Sequence, residues 1–443
     1  HKTIAKTATY PKITILSPRE YLEADDPALD LKAGISGAPS AITRAFYDLD
    51  DETSAPLKIS GADVSEKLEL SSLANGAHYL RFNFEDQAGK NYQKSVAFFV
   101  DNPKAPKQGT AKWRFKMDGA SKATPLIFDH TVYVGANDGN LYAVNQETGN
   151  LEWKFDAGAE ILTSAAIWKD TILFGAGNGK FFAVSLNGKL KWTYEGDHAI
   201  YSSPVVDKGV VYFGDNAAEL VALNADTGKL LWKNTDASYS VESQPVVWST
   251  RIFYGAWDGY LHCVDKDTSA SLWKAPGPRN QETLNRYYAP ADDGPVMAFG
   301  KLFAADRGYV AGEYDPVTGE FKKKISDDCS AIGLSANSKF LYLRGTKTPI
   351  LKLNVDGEQL WESNVVAGRI PIAPVEVDGG VYVCTNSGRL CSIDARNGLL
   401  RWDYRVTPKL YVMSGVRVSD GIVFTTGVDG FLTAVVAPPL TGR

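Results

Sequence analysis

The 443-residue chain holds only four cysteines, three methionines and five histidines. His1, His78, His130, His198 and His262 fall in different strands and turns with no paired spacing, so a histidine-based metal centre is not expected. His262, beside Cys263 in one strand, reads as a packed core residue. No apolar run approaches the roughly 18–20 residues that carry a helix across a bilayer. The net charge is −5 and no basic block occurs, which argues against nucleic acid and against an anionic membrane surface. There is no Gly-x-Ser-x-Gly elbow. Gly175-Ala-Gly-Asn-Gly179 reads as a hairpin, because no helix follows to make it a phosphate loop. Asp138-Gly139, Asp258-Gly259 and Asp429-Gly430 lack the alternating carboxylates of a calcium loop and are expected to be type I′ turns. Cys384 and Cys391 are expected to face each other across a hairpin turning at Ser387-Gly388, as packed thiols or as a bond, so cysteine usage does not settle the compartment. The chain opens on His1 and is expected to be a processed or truncated piece, with any export signal or lipid-anchor cysteine upstream.

Glycine is abundant, at 40 residues, and aromatics make up 11% of the chain. Both suit many tight turns between short packed strands. Ser202–Trp232 supplies the unit: four short β-branched runs separated by Lys208-Gly209 and by Ala225-Asp-Thr-Gly228. One such sheet cannot bury both of its faces and needs copies beside it. The fourth-strand tryptophan recurs at Trp113, Trp153, Trp192, Trp232, Trp273, Trp361 and Trp402, at spacings of 40, 39, 40 and 41 residues, then 88, then 41. The long spacing is two repeats with one marker lost, and Phe321 after Pro316-Val-Thr-Gly319 is expected in the tryptophan slot. AKWRFKM at 111–117 matches a fourth strand with no first three before it, while three strands without a fourth follow Trp402. The two are expected to share one sheet, which would remove exposed edges.

Residues 11–102 lack this repeat. Lys12–Pro18, Leu29–Ile35, Ile42–Leu49, Leu57–Ser60, His78–Gly89 and Ser95–Asp101 read as strands, with Leu80, Phe82 and Phe84 facing inward. The expected fold is therefore all-β: an arm (1–10), a small sandwich (11–102), a proline- and lysine-bearing linker (103–110), an eight-bladed β-propeller closed by an N-terminal strand (111–437) and a tail (438–443).

Two resemblances follow from these residues. The stretch from Leu73 to Asn102, with its Asp-x-Ala-Gly turn and Phe-x-Val-Asp close, resembles bacterial immunoglobulin-like and fibronectin-III-like modules. ALNADTGKLLW, AVNQETGNLEW, SIDARNGLLRW and the degenerate CVDKDTSASLW resemble the quinoprotein-type (PQQ-like) propeller repeat, from Ala111 to about Ala437. That family includes bacterial quinoprotein dehydrogenases and the assembly lipoprotein BamB, and the resemblance implies that the tryptophans dock between neighbouring blades. The dehydrogenases hold their cofactor with a vicinal cysteine pair, a stacking tryptophan and calcium. No two cysteines adjoin here, so no cofactor and no metal are expected.

The repeat is interrupted between Trp273 and Phe321, where Ala275–Pro295 is longer than the other connections. Arg279, Arg286, Tyr287 and Tyr288 lie in this excursion, and Tyr201, Glu242, Arg369 and Tyr411 precede inner strands at equivalent places. These residues are expected to rim one propeller face and to bind a protein or glycan. The function expected is non-catalytic binding or scaffolding by a monomer in the periplasm or at the cell surface. Two alternatives stand beside it: the accessory C-terminal region of an exported calcineurin-like metallophosphoesterase, and a BamB-like outer-membrane assembly factor, against which the sandwich counts.

Overall fold

The computed structural model describes residues 10–408, 412 and 414–438. The expected arm and tail lie almost wholly outside the described residues, and so does Tyr411. Among the described residues the chain is all-β apart from two short 3₁₀ turns, and it divides into two compact units. The first comprises His1–Thr110 with Tyr404–Lys409 and Pro438–Arg443, the second Ala111–Asp403 and Leu410–Ala437.

In the first unit one sheet runs Lys12–Ser17, Ala28–Ser36, Asp63–Glu69, Lys58–Ser60. A second runs Leu22–Ala24, Asn91–Val100, Gly76–Asp86, Ile42–Leu49, Thr53–Pro56. Leu31, Leu80, Phe82, Phe84 and Phe98 are fully buried in the core, as period-2 alternation requires of a sheet with one covered face. Asp86 closes the Asp-x-Ala-Gly turn by accepting the Ala88 and Lys90 amides at 3.0 Å and the Tyr92 hydroxyl at 3.0 Å. Sequence reading missed Leu22–Ala24, Thr53–Pro56 and Asp63–Glu69, which are short or charge-rich and largely exposed.

The second unit contains, among the described residues, eight sets of four hydrogen-bonded strands, the arrangement of a multi-bladed β-propeller. Blades 1 to 7 span 126–156, 166–195, 205–234, 246–276, 296–326, 331–362 and 375–405. The last set joins Arg417–Ser419, Ile422–Thr426 and Phe431–Val436 to Thr110–Lys116, which pairs with Phe431–Val436. The Met117 amide donates to the Gly430 carbonyl at 2.8 Å. The Gly415 amide donates to Thr124 Oγ1 at 3.0 Å, tying the last set to blade 1.

The repeat motif explains how blades adhere. Each glycine of the Asx-Thr-Gly turn sits at positive φ, and a Cβ there would meet the preceding blade's tryptophan: Trp113 at 2.6 Å from Gly149, Trp192 at 2.4 Å from Gly228, Trp273 at 2.6 Å from Gly319. The indole lies flat on the glycine, and its N–H reaches the turn's backbone except at Trp192, where it has no partner among the described residues. Trp113 Nε1 donates to Gln146 O at 3.0 Å, Trp153 to Leu186 O at 2.8 Å and Trp361 to Ala395 O at 3.0 Å. After Trp402 the next turn is missing, because the third and fourth strands there come from opposite chain ends. Its indole N–H has no partner among the described residues.

Three expectations are corrected by register. Phe321 pairs with Tyr314, as Leu151 pairs with Val144, while Lys323 opposes Glu313, as Trp153 opposes Ala143. Lys323, not Phe321, therefore holds the tryptophan position. Its ammonium donates to Asp356 O at 2.8 Å, replacing the indole bond, and its stem crosses Gly357. Cys384 opposes Leu390 and Cys391 opposes Val383, so the two thiols point to opposite faces, and both are free and buried. The loop there is longer than a two-residue turn, with the Thr385 amide on Arg389 O and the Gly388 amide on Thr385 O. The same longer loop occurs at Asp138-Gly139, Asp258-Gly259 and Asp429-Gly430. Only the glycines take positive φ, so these are not type I′ turns but type I turns followed by a left-handed glycine.

His262 is 1% exposed and stacks on Tyr254 at 4.9 Å. Its ring nitrogens lie 3.0 Å from Asp258 and 3.2 Å from Asp236. It takes the place that Tyr142 holds between Asp118 and Asp138 in blade 1, which is a structural role.

Candidate functional site

Antiparallel order places the connection into each blade and that blade's second hairpin on one face. Their backbones meet in a repeated bond: Asn137 N to Ala120 O, Gly177 to Glu160, Asn216 to Ala199, Trp257 to Ser240, Arg307 to Ala289, Asn386 to Ala367. The hairpin-tip position is small or Asn in four of these blades, and Trp257 and Arg307 in blades 4 and 5. The longest connection, into blade 5, lies against those two.

That connection folds over two 3₁₀ turns, Pro278–Asn280 and Arg286–Tyr288. Asn280 pins it from below: buried, it donates to Gly259 O and Tyr288 O, and its oxygen accepts the Asn285 amide at 3.0 Å. Gly308 is required beneath it, since a Cβ there would meet Arg279 Cδ at 2.3 Å. Arg279 consequently lies over the Tyr288 ring at 4.7 Å, Arg286 over Tyr239 at 4.0 Å, and Arg307 over Trp257 at 4.9 Å and Tyr287 at 5.9 Å. Arg369, on the connection into blade 7, lies 5.9 Å from Tyr309. Tyr287 and Tyr239 are 65% and 47% exposed, well above the norm for aromatic rings.

Within this rim opens a cavity of about 400 Å³, lined by one residue just ahead of each of several inner strands: Lys122, Leu162, Tyr201, Glu242 and Asp292. A second cavity of about 310 Å³ adjoins it, lined by Asp306, Arg307, Tyr309 and Arg369 and sharing Lys122, Asp292, Asp293 and Pro371 with the first. Of the residues expected at a rim, Tyr201 and Glu242 line the first cavity and Arg369 the second. Arg279, Arg286, Tyr287 and Tyr288 gather in the aromatic cluster, and Tyr411 falls outside the described residues. The sequence reading missed Arg307, Tyr239, Trp257 and Asp293. The signal was the hairpin tip, where two neighbouring repeats depart together from a small residue.

The floor is acidic and poorly neutralised. Asp293 stands where blades 2 to 4 have Thr163, Ser202 and Ser243, and accepts the Gly294 amide at 3.0 Å. Half-buried at the cavity wall, its carboxyl is pushed up to about 7 by desolvation and further by Asp292, with the Ile332 and Gly294 amides and Arg344 pulling the other way. Burial likewise raises Asp306 to about 6, against the Arg279 amide it accepts at 2.6 Å. Burial raises Glu242, with Asp292 adding to it and Trp257, Arg307 and Lys122 opposing. The Tyr201 hydroxyl is raised by burial and by Glu160, to which it donates at 2.9 Å. Lys122, Asp292, Asp306, Arg307, Arg344 and Arg369 are among the other charged groups around Asp293.

A carboxyl raised in the fold keeps a proton that the unfolded chain, titrating near pH 4, has already lost. The native state thus binds more protons between about pH 4 and pH 7, and stability falls as pH rises through 6 to 7. Asp215 and Asp429, each raised to about 6 by burial, act in the same direction. The urea midpoint is expected to be lower at pH 8 than at pH 5.5, and Asp293→Asn to flatten that slope. A midpoint that climbs with pH over this window contradicts the assignment.

The cavity lining contains neither tryptophan nor cysteine, and no group of three or more metal-ligating side chains occurs among the described residues. A quinone held by a stacked indole and a cysteine pair does not fit these residues. The arrangement is a face of ring-stacked guanidiniums around a partly acidic well.

A family described as "Outer membrane protein assembly factor BamB" matches residues 105–275 and 327–438. Among curated relatives, the BamB of Nitrosomonas eutropha is 32% identical over 151 residues, which is 32% of this chain and 35% of that protein. The BamB of Yersinia pestis is 29% identical over 157 residues, 32% of this chain and 40% of that protein. The aligned part of the chain thus spans about a third to two fifths of the curated relatives it matches. Among solved structures, BamB from Moraxella catarrhalis superposes with a TM-score of 0.59 at 15% identity, over 74% of this chain and 99% of that one. Quinohemoprotein alcohol dehydrogenase from Comamonas testosteroni gives 0.59 at 15% identity, over 76% and 77%. At such identities the likeness is one of fold alone.

Proposed function

We propose, starting from the fact that this chain belongs to the BamB family of outer membrane protein assembly factors, that it is a non-catalytic scaffold for outer-membrane protein assembly on the periplasmic side. The match over both blocks of the propeller carries this reading. The immunoglobulin-like sandwich weighed against it in the sequence, but it precedes residue 105, where the match begins, and is an addition to the shared part rather than a departure from it. We read the eight sets of strands as an eight-bladed ring closed by Thr110–Lys116, presenting the arginine and tyrosine rim to a protein partner. Mixed aromatic and arginine surfaces with pre-stacked side chains are the composition of protein hot spots. No helix among the described residues is long and apolar enough to cross a membrane.

Deleting the gene in its own bacterium is expected to lower the amount of folded outer-membrane β-barrel protein, and a plasmid copy to restore it. Unchanged levels in the deletion strain would falsify the reading.

A further inference from the structure

The family match omits residues 276–326, the stretch that holds the long connection and blade 5. Arg279, Arg286, Tyr287, Tyr288 and Arg307 all lie in it. Much of the rim thus lies between the matched blocks, with Tyr239, Trp257 and Arg369 inside them, and its chemistry has to be read from its own geometry.

Four guanidiniums lie on aromatic rings along one face: Arg279 on Tyr288, Arg286 on Tyr239, Arg307 on Trp257 and Tyr287, Arg369 beside Tyr309. The rings connect them, since Tyr287 and Tyr288 meet edge to face at 5.3 Å and Arg307 and Arg369 line the same cavity. Only Arg307 has a carboxylate within ion-pair distance among the described residues, Asp292 at 3.8 Å. A guanidinium stacked on a ring is held in place with its N–H edge turned outward, and that edge matches a carboxylate in two-point fashion. Side-chain ordering has been met in advance, so binding loses less entropy than it would with free lysines.

We propose that this rim docks an acidic, partly apolar peptide segment of a protein partner, with aspartate or glutamate carboxylates on Arg279, Arg286 and Arg369 and apolar side chains on Tyr239, Tyr287 and Leu284. A phosphate-rich or sulfated polymer fits less well. Glu242, Asp292 and Asp293 lie just inside the rim and repel a dense polyanion, while Tyr239, Leu284 and Tyr287, 47%, 46% and 65% exposed, give such a polymer nothing to cover. The segment named here refines the scaffold reading and rests on it.

The test is fluorescence anisotropy of the whole chain with a labelled decapeptide of alternating glutamate and leucine, alongside its glutamine and lysine counterparts. The glutamate peptide is expected to bind, at least about tenfold more tightly than the glutamine peptide, and to weaken as salt shortens the reach of the charges. Arg286→Ala and Arg369→Ala are each expected to weaken it about fivefold or more. Arg286→Lys is expected not to restore it, because an ammonium neither stacks nor bridges a carboxylate in the same way. Equal binding of the glutamine peptide, unchanged binding by the alanine variants at an unaltered unfolding midpoint, or equally effective competition by inorganic phosphate or heparin overturns the proposal. If deletion of the gene lowers outer-membrane assembly while the glutamate peptide fails to bind, the inference falls and the scaffold reading stands. If the peptide binds and assembly is untouched by deletion, the scaffold reading falls.

Discussion

Arg344→Ala is expected to destabilise the propeller by about 2–4 kcal/mol, the order for deleting a buried side chain whose charged donors satisfy buried carbonyls. Arg344 is 0% exposed and stands in Leu341–Arg344 of blade 6. Its guanidinium donates from Nε to Gly368 O at 3.0 Å, from Nη2 to Ala367 O at 2.8 Å and from Nη1 to Ile372 O at 3.2 Å. Burial lowers it to about 10, which leaves it charged at neutral pH. The three carbonyls belong to the connection that carries Arg369 and the apolar wall from Ile370 to Ile372. Truncation strips the guanidinium from all three; Ala367 O keeps the Asn386 amide and Gly368 O the Ser330 hydroxyl, while Ile372 O is left without this donor. Urea unfolding reads the loss of stability. Peptide anisotropy is expected to fall with it, because Arg369 loses its anchored backbone. Arg344→Lys retains the charge with a single donor position and is expected to fall between. A variant within about 1 kcal/mol of the parent would show that these bonds are not what holds the connection.

Trp113→Ala is expected to cost a similar amount, about 3–5 kcal/mol for a large aromatic removed from a close-packed site. Trp113 is 9% exposed, lies 5.7 Å from Phe424 within its own sheet, and docks on Gly149 of the next blade. Among the described propeller strands, it stands on the one held in its sheet without a covalent turn to the strand beside it. A loosened Thr110–Lys116 exposes the edge of Phe431–Val436, so early proteolytic cleavage near residues 103–116 is expected to accompany the lowered urea midpoint. Trp153, which docks in the same way but on a strand tethered by its own turn, gives the control. Trp153→Ala is expected to lower the midpoint without the early cut.

Most of the architecture was legible because the repeat is a physical unit. An indole four residues after the turn's left-handed residue lies on the corresponding residue of the next copy, glycine in most copies and Ser269 beside Trp232, so the spacing of tryptophans counts sheets. The reading slipped where chemistry changed while geometry did not. Lys323 makes the indole's hydrogen bond with an ammonium, and a search for an aromatic residue settled on Phe321, two positions early. It slipped again at Cys384 and Cys391, where one residue more in the loop shifts the pairing and sends the thiols to opposite faces. The rim was legible in part. The long connection announces itself by length, and its arginines and tyrosines by type. Arg307 and Trp257 stand at hairpin tips that look like ordinary turns until the repeats are laid over one another, and Asp293 shows its character only once the fold encloses it.

On the proposed reading, the ring-stacked arginines are the surface through which this scaffold works. In cells whose only copy carries Arg286→Ala, Arg307→Ala and Arg369→Ala together, the decisive measurement is the amount of folded outer-membrane β-barrel protein, read by heat-modifiable migration on gels. It is predicted to fall to the level of the deletion strain, with the variant present in normal amount and unfolding at the parent's urea concentration. Folded barrels at the wild-type level in those cells would contradict it.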